Sequence, residues 1–406
     1  MSGLPTSRLS GGRTVLVGVT GGIAIYKAVE LVRGLVKDGL QPLVVTTEAA
    51  QRFVMPLTFA AVSQAPVLDD QSAWQASGGW FQHIEAARRA RVMVVAPATA
   101  NTLAKMAAGM ADNLLTAIYL AFRGPVIVAP AMNWAMNEHA ATRENLRTLA
   151  GRGVEVLPTE QGDLACGEEG SGRMVSPEAI RLAVHRAFAS TGTGALAGKK
   201  VVVTSGGTRE RIDAVRFIGN RSSGKMGRAV ADEAYLRGAR VALVTTQPAH
   251  DAPYEVVQVE SAADMAAAVR VQVGDADVLV MAAAVADFRP RDEEPGKIQR
   301  GERDTLSLDL VRTIDVLAES ARPGLYRVGF AAEAGPQIAR ARAKKQAKGV
   351  DLLVFNDILA EGVGIGSDEN EITIITSGEE VTVPRTSKAR CAAVIADHIE
   401  AGLQRP

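Results

Sequence analysis

The first half of the chain holds a base, a carboxamide and a thiol: His83, Asn133 at the end of Pro130-Ala131-Met132-Asn133, and Cys166. A base, a carboxamide and a thiol within one half of the chain suit redox or carbon-acid chemistry on a small molecule. From about Lys199 onward the equipment changes to glycine turns, a lysine in a charged, proline-bounded segment (Lys297), and a cationic helical stretch. There Arg340, Lys344 and Lys348 fall at i, i+4 and i+8. Like charges so spaced repel by about 0.2–0.5 kcal/mol per pair, so an unpaired stripe is either a solvated face or an anion site. Two chemistries on one chain are expected.

Such residues need elements to hold them. Residues 14–19, 43–46, 92–96 and 126–129 are short apolar runs separated by helical patterns, which predicts a parallel sheet covered on both faces. Ligands of such sheets bind at the carboxyl ends of the strands. Thr20-Gly21-Gly22, Thr46-Thr47, Pro97-Ala98-Thr99 and the Asn133 run all fall there. Thr20-Gly21-Gly22 by itself fits either a plain strand-to-helix turn or a phosphate cradle, and the G-x-G-x-x-G spacing is absent. Residues 190–195 read as a linker. The strand–turn–helix scheme restarts at 200–204 with Ser205-Gly206-Gly207, and strands follow at 241–244, 278–281 and 352–355. Residues 371–375 and 381–383 alternate like an antiparallel hairpin, and a helix closes the chain. The expected organisation is α/β with two Rossmann-like domains, 1–190 and 191–406.

Composition narrows the function class. The 406 residues are 47% hydrophobic and 22% charged, and Lys+Arg equals Asp+Glu at 45 each. No global charge attracts nucleic acid or a membrane surface, so any anion must be held locally. Cys166 and Cys391 fit no disulfide framework or zinc spacing, Cys391 reads as structural, and no signal peptide or spanning segment is evident. A cytoplasmic protein is expected.

Ala96-Pro97-Ala98-Thr99-Ala100-Asn101-Thr102, Pro130-Ala131-Met132-Asn133, Ala165-Cys166-Gly167 and Gly170-Ser171-Gly172-Arg173-Met174 follow His83 in order. Over residues 13–188 this set resembles the flavin-dependent cysteine decarboxylases, more narrowly the phosphopantothenoylcysteine decarboxylases. The resemblance implies a flavodoxin-like FMN domain in which His83 is the base near the thiol, Asn133 holds the substrate carboxylate and Cys166 gives a proton. It assigns FMN contacts to Thr99, Ala100, Asn101, Thr102 and Ala131, with Thr20, Gly22 and Phe53. Where the family has an aromatic after Met136, this chain has Asn137.

The string Asp213 to Gly227, with Ala282-Ala283-Ala284-Val285-Ala286-Asp287 and Val328-Gly329-Phe330-Ala331-Ala332-Glu333, resembles the ligases that join 4′-phosphopantothenate to cysteine. That resemblance covers about 199–400 and implies activation by CTP with Mg²⁺, through an acyl cytidylate. It assigns Lys344 and Lys348 to the triphosphate, Lys297 to a flap over the cytidylate, and Asn220 to the acyl group or its intermediate. Met281, Ala282, Ala283, Asp287 and Phe330 become nucleotide-pocket positions. Arg312 and Asp315 join them, in Arg312-Thr313-Ile314-Asp315 where the family has a Lys-Asn-Pro-Asp type run. The metal ligands are not assigned. Implied partners are 4′-phosphopantothenate, cysteine and CTP, in a homo-oligomer of trimeric flavin domains and dimeric ligase domains, up to a dodecamer. Two competing readings are a flavin-binding regulatory or assembly protein with an inactive decarboxylase centre and an NAD(P)-dependent dehydrogenase; the latter lacks its fingerprint.

Overall fold

In the computed structural model, residues 12–71, 82–163, 167, 169–189, 194–248, 251–299, 305–333, 335, 337–359 and 366–404 are described. They form two compact units, one running to Ala189 and including Asp251–Pro253, the other taking the rest. Most of the linker stretch, 190–193, lies outside the described residues, as does Cys166.

The first unit is built on β1 (Thr14–Val19), β2 (Gln41–Thr46), β3 (Leu68–Asp69), β4 (Val92–Ala98), β5 (Val126–Pro130) and β6 (Glu155–Val156). All pairings are parallel, in the order β3-β2-β1-β4-β5-β6. Every residue of β1, β4 and β5 is buried, which explains their continuous apolar sequence. The helix Ile25–Lys37 buries Ile25, Ala28, Leu31, Val32 and Leu35 on one face, at the spacing of a helical stripe. Side chains such as Leu16, Met93, Leu103, Leu115 and Ile118 meet in one fully buried cluster, each contributing about 1.5–3 kcal/mol by leaving water. The order reverses at β1 and β4, so a crevice opens beyond their carboxyl ends. An antiparallel pair, β7 (Thr159–Asp163) with β8 (Glu169–Met174), stands apart from this sheet.

The second unit's main sheet has the order β13-β12-β9-β14-β17-β18-β19-β20. Its members are β9 (Lys200–Ser205), β12 (Arg240–Thr245), β13 (Glu255–Gln258), β14 (Val278–Met281), β17 (Tyr326–Glu333), β18 (Leu352–Asp357), β19 (Glu369–Ile375) and β20 (Glu380–Ser387). Pairing is parallel as far as β18 and antiparallel across β19 and β20. Two small ribbons sit off this sheet: β10 (Arg209–Arg211) with β11 (Phe217–Gly219), and β15 (Phe288–Pro290) with β16 (Leu310–Arg312). Ser261 begins the helix Ala262–Gln272 with a reciprocal capping box to Asp264, and Ser387 caps Lys388–Leu403.

Candidate functional sites

In the first unit the crevice is a cavity of about 1120 Å³, lined from the ends of β1, β4 and β5 and by β8. Gly22, Thr99, Ala100, Asn101, Thr102, Ala131 and Asn133 all line it. Two helix N-termini open there, Ile25–Lys37 and Ala100–Ala108, and neither cap residue's side chain accepts a helix N–H. Uncapped N–H groups with the positive end of the helix dipole make a ready seat for phosphate. The hydroxyls are ordered in a chain. Thr20 Oγ1 donates to the Pro97 carbonyl at 2.6 Å and accepts from the Thr99 N–H at 3.1 Å, and Thr99 Oγ1 lies 3.3 Å from Thr102 Oγ1. Thr20 is itself buried, so it sets Thr99 in place without lining the cavity. Polar edges, apolar Ala131 and Met132, and this volume fit a flavin nucleotide.

Asn133 caps the short helix Trp134–Glu138, its Oδ1 accepting the Ala135 N–H at 2.9 Å, which fixes the carboxamide at the cavity wall. The β7–β8 pair is seated against this loop. The Met132 N–H donates to the Gly172 carbonyl at 2.9 Å, and a Cβ on Gly172 would stand 2.2 Å from the Met132 oxygen. Asn137 Nδ2 reaches the Thr159 hydroxyl at 3.2 Å, so the residue that departs from the family pattern ties its helix to β7. Cys166, between β7 and β8, lies outside the described residues. His83 is half-buried in the first turn of the helix Gln82–Arg89, Phe53 is 54% exposed, and neither lines the cavity.

Lys27 is a lining residue that the motifs did not point to. Its Nζ donates to the Met174 carbonyl at 2.6 Å and stands 3.7 Å from Glu160. A lysine in the first turn of a helix works against the helix dipole, and that misplacement was the available signal. Burial, then the neighbouring Asp251, raises Glu160 to about 7, against the pull of Lys27 and Arg173.

In the second unit several of the expected nucleotide residues lie at or beside the loop that follows β14 at the carboxyl edge of the sheet. Met281 ends β14, with its sulfur 3.5 Å from Thr204 Oγ1, and Thr204 Oγ1 accepts the Ala283 N–H at 3.1 Å. Asn220 Nδ2 donates to the Val285 carbonyl at 2.9 Å, which brings Asn220 to the 282–287 loop. The Thr313 N–H donates to the Asp287 carbonyl at 3.0 Å, so the Arg312–Asp315 run lies beside that loop. Phe330 is half-buried on β17. Lys297 is exposed, and Asp213, buried at the tip of the β10–β11 hairpin, anchors its segment.

One expectation is corrected. The stripe on the helix Ile338–Lys348 is not unpaired: Lys348 forms an ion pair with Asp315, and Arg340 stands 3.6 Å from Glu333. Burial would raise Asp315, but Lys348 and helix N–H groups hold it below its ordinary value. These partners come from β17 and a loop, so spacing along the helix could not reveal them. Lys344 is half-buried, and no ion pair of it is found among the described residues. Among the described residues, no three or more His, Cys, Asp or Glu side chains group to hold a metal, and no helix is long and apolar enough to cross a membrane.

Fold and crevice thus define a two-unit α/β protein whose first unit suits a flavin. The Flavoprotein family model matches residues 4–188, and that of the DNA/pantothenate metabolism flavoprotein C-terminal domain matches 196–403. A coenzyme A biosynthesis bifunctional protein CoaBC of Vibrio vulnificus is 41% identical, over 96% of this chain and 98% of that one. Its counterpart in Mycobacterium bovis is 44% identical, over 95% and 96%. The crystal structure of the C-terminal domain of a CoaBC is 35% identical, covers 52% of this chain and 99% of that one, and has a TM-score of 0.45. The chain belongs to the family of bifunctional coenzyme A biosynthesis proteins.

Proposed function

We propose that the chain joins cysteine to 4′-phosphopantothenate in its second unit and decarboxylates the product to 4′-phosphopantetheine in its first. In the first step the carboxylate of 4′-phosphopantothenate attacks the α-phosphorus of CTP, expelling pyrophosphate. The cysteine amine then attacks the acyl carbon of the resulting cytidylate, and CMP leaves. Mg²⁺ accompanies the triphosphate. Lys344 and Lys348 serve the phosphates, Asn220 the acyl group, and Lys297 the second displacement. Asp287, Phe330, Arg312, Asp315 and the 281–283 backbone hold the nucleotide.

In the second step FMN, when bound in the cavity, supplies reversible two-electron oxidation at the substrate thiol. The oxidised carbon–sulfur group lies β to the carboxylate and takes up the electrons released with CO₂. His83 receives the thiol proton, Asn133 orients the departing carboxylate, and Cys166 donates a proton to the reduced product. His83 and Phe53 do not line the cavity of their own chain, which supports a site completed by a second copy. That is consistent with trimeric flavin units, dimeric ligase units and a dodecamer overall. The place of action is the cytoplasm.

The observation that carries this reading is the cavity, where two uncapped helix N-termini meet Asn133 beside the β7–β8 pair. Mass spectrometry of products from 4′-phosphopantothenate, cysteine and Mg²⁺ tests it. CTP-dependent 4′-phosphopantetheine and CO₂ are expected; a halt at phosphopantothenoylcysteine would remove the decarboxylase half, and no product would remove both.

A further inference from the structure

Between β15 and β16 the chain makes an excursion that carries Lys297, tethered on either side of that residue. The Glu294 N–H donates to the Ile212 carbonyl at 3.1 Å, and the Ile298 N–H donates to Asp213 Oδ2 at 3.2 Å. Arg216 closes the arrangement, its guanidinium donating to Asp213 Oδ2 at 2.6 Å and to the Ile298 carbonyl at 3.2 Å. Lys297, exposed, stands between the tethers. Asp213 is only 1% exposed.

The two carboxylate oxygens have separate tasks. Oδ1 accepts the N–H groups of Val215 and Arg216, both at 2.7 Å, and so shapes the turn joining β10 to β11. A turn needs no more than this. Oδ2 instead reaches Ile298, 85 residues along the chain. The same hairpin ends at Gly219, and Asn220 follows immediately. One buried side chain therefore ties the Lys297 segment to the hairpin that carries Asn220. Burial would push the Asp213 carboxyl up, but three backbone N–H groups and Arg216 hold it down to about 2, so the anchor stays charged across working pH.

We propose that Asp213 is a positioning residue for amide formation, holding Lys297 through Ile298 at a fixed distance from Asn220. This rests on the assignment of Lys297 to the second displacement. Displacing a reacting or stabilising group by about 1 Å can cost on the order of 100-fold in rate, whereas forming the cytidylate does not call on Lys297.

The test uses the full-length, flavin-loaded protein and follows the two ligase half-reactions separately. Pyrophosphate release is measured with CTP and 4′-phosphopantothenate alone, and amide formation after cysteine is added. Asp213→Asn should leave pyrophosphate release within about twofold while amide formation falls about 10- to 100-fold, in kcat and not in KM for CTP. Combined with Lys297→Gln it should be no slower than Lys297→Gln alone, because both changes remove one interaction. Ile298→Pro, which deletes the N–H that Oδ2 receives, should reproduce the defect. Equal loss of both half-reactions, or normal amide formation in either Asp213→Asn or Ile298→Pro, overturns the proposal. If Lys297→Gln is slow while Asp213→Asn is normal, only the positioning role falls. Normal amide formation in Lys297→Gln removes the flap assignment, and the proposal with it.

Discussion

Asn133 joins an observed structural task to the chemical one proposed for it. Its Oδ1 caps a short helix while the carboxamide stands at the cavity wall. Asn133→Ala should cost about 1 kcal/mol of local stability through the lost cap. Decarboxylation should fall by about 100-fold or more, as when one oriented polar group is taken from a reacting centre. Ligation should remain, so paired assays of the two activities check the assignment; loss of both would mean misfolding. Cys166→Ser should stop after CO₂ loss and accumulate the oxidised enethiol, visible by mass, whereas normal 4′-phosphopantetheine output would remove Cys166 as proton donor. Lys297→Gln should still release pyrophosphate yet make little amide.

Glu160 adds a pH dependence. Its carboxyl is raised to about 7 in the fold from an ordinary 4.5. A carboxyl raised by folding stabilises the fold fully below its unfolded value, and that contribution is lost as pH rises through the folded one. The first unit should therefore resist urea better near about pH 5 than near about pH 8, and Glu160→Gln should flatten that difference. Urea midpoints at the two pH values decide it; an unchanged slope in the variant would assign the effect elsewhere.

At the scale of elements, the β7–β8 pair is held by how closely two backbones approach. A methyl at Gly172 would meet the Met132 oxygen at 2.2 Å, and its φ of +151° already disfavours a side chain. Gly172→Ala should cost about 1–3 kcal/mol by overpacking and shift the loop ending in Asn133. Flavin retention and decarboxylation should both drop while CTP-dependent amide formation persists. The small ribbons of the second unit contribute little core: Asp213 lies in the turn of β10–β11, whereas Asn220, Asp287 and Arg312 stand at the open ends of β10–β11 and β15–β16, near the loop after β14.

For the whole molecule, two sheets with the candidate strings in loops at strand ends are legible in the chain, because buried parallel strands write themselves as apolar runs. Strands expected at 14–19, 278–281 and 352–355 are found at Thr14–Val19, Val278–Met281 and Leu352–Asp357. The hairpin expected from 371–375 and 381–383 is the antiparallel β19–β20 pair. The cluster of Gly22, Thr99, Asn101, Ala131 and Asn133 follows from the same rule, since each lies just beyond a strand end. Less legible are Lys27, the Gly172 contact and the partners of the cationic stripe.

By itself the sequence determined the α/β class, the restart of the pattern in the second half, and which local strings fall at strand ends, since periodicity and turn residues act over a few neighbouring positions. Only the tertiary structure decided that Lys27 faces Met174, that Lys348 pairs with Asp315, and that Asp213 holds Ile298. Those partners lie 147, 33 and 85 residues apart. They meet because burying the strands fixes the loops at their ends, and packing, unlike propensity, takes no account of distance along the chain.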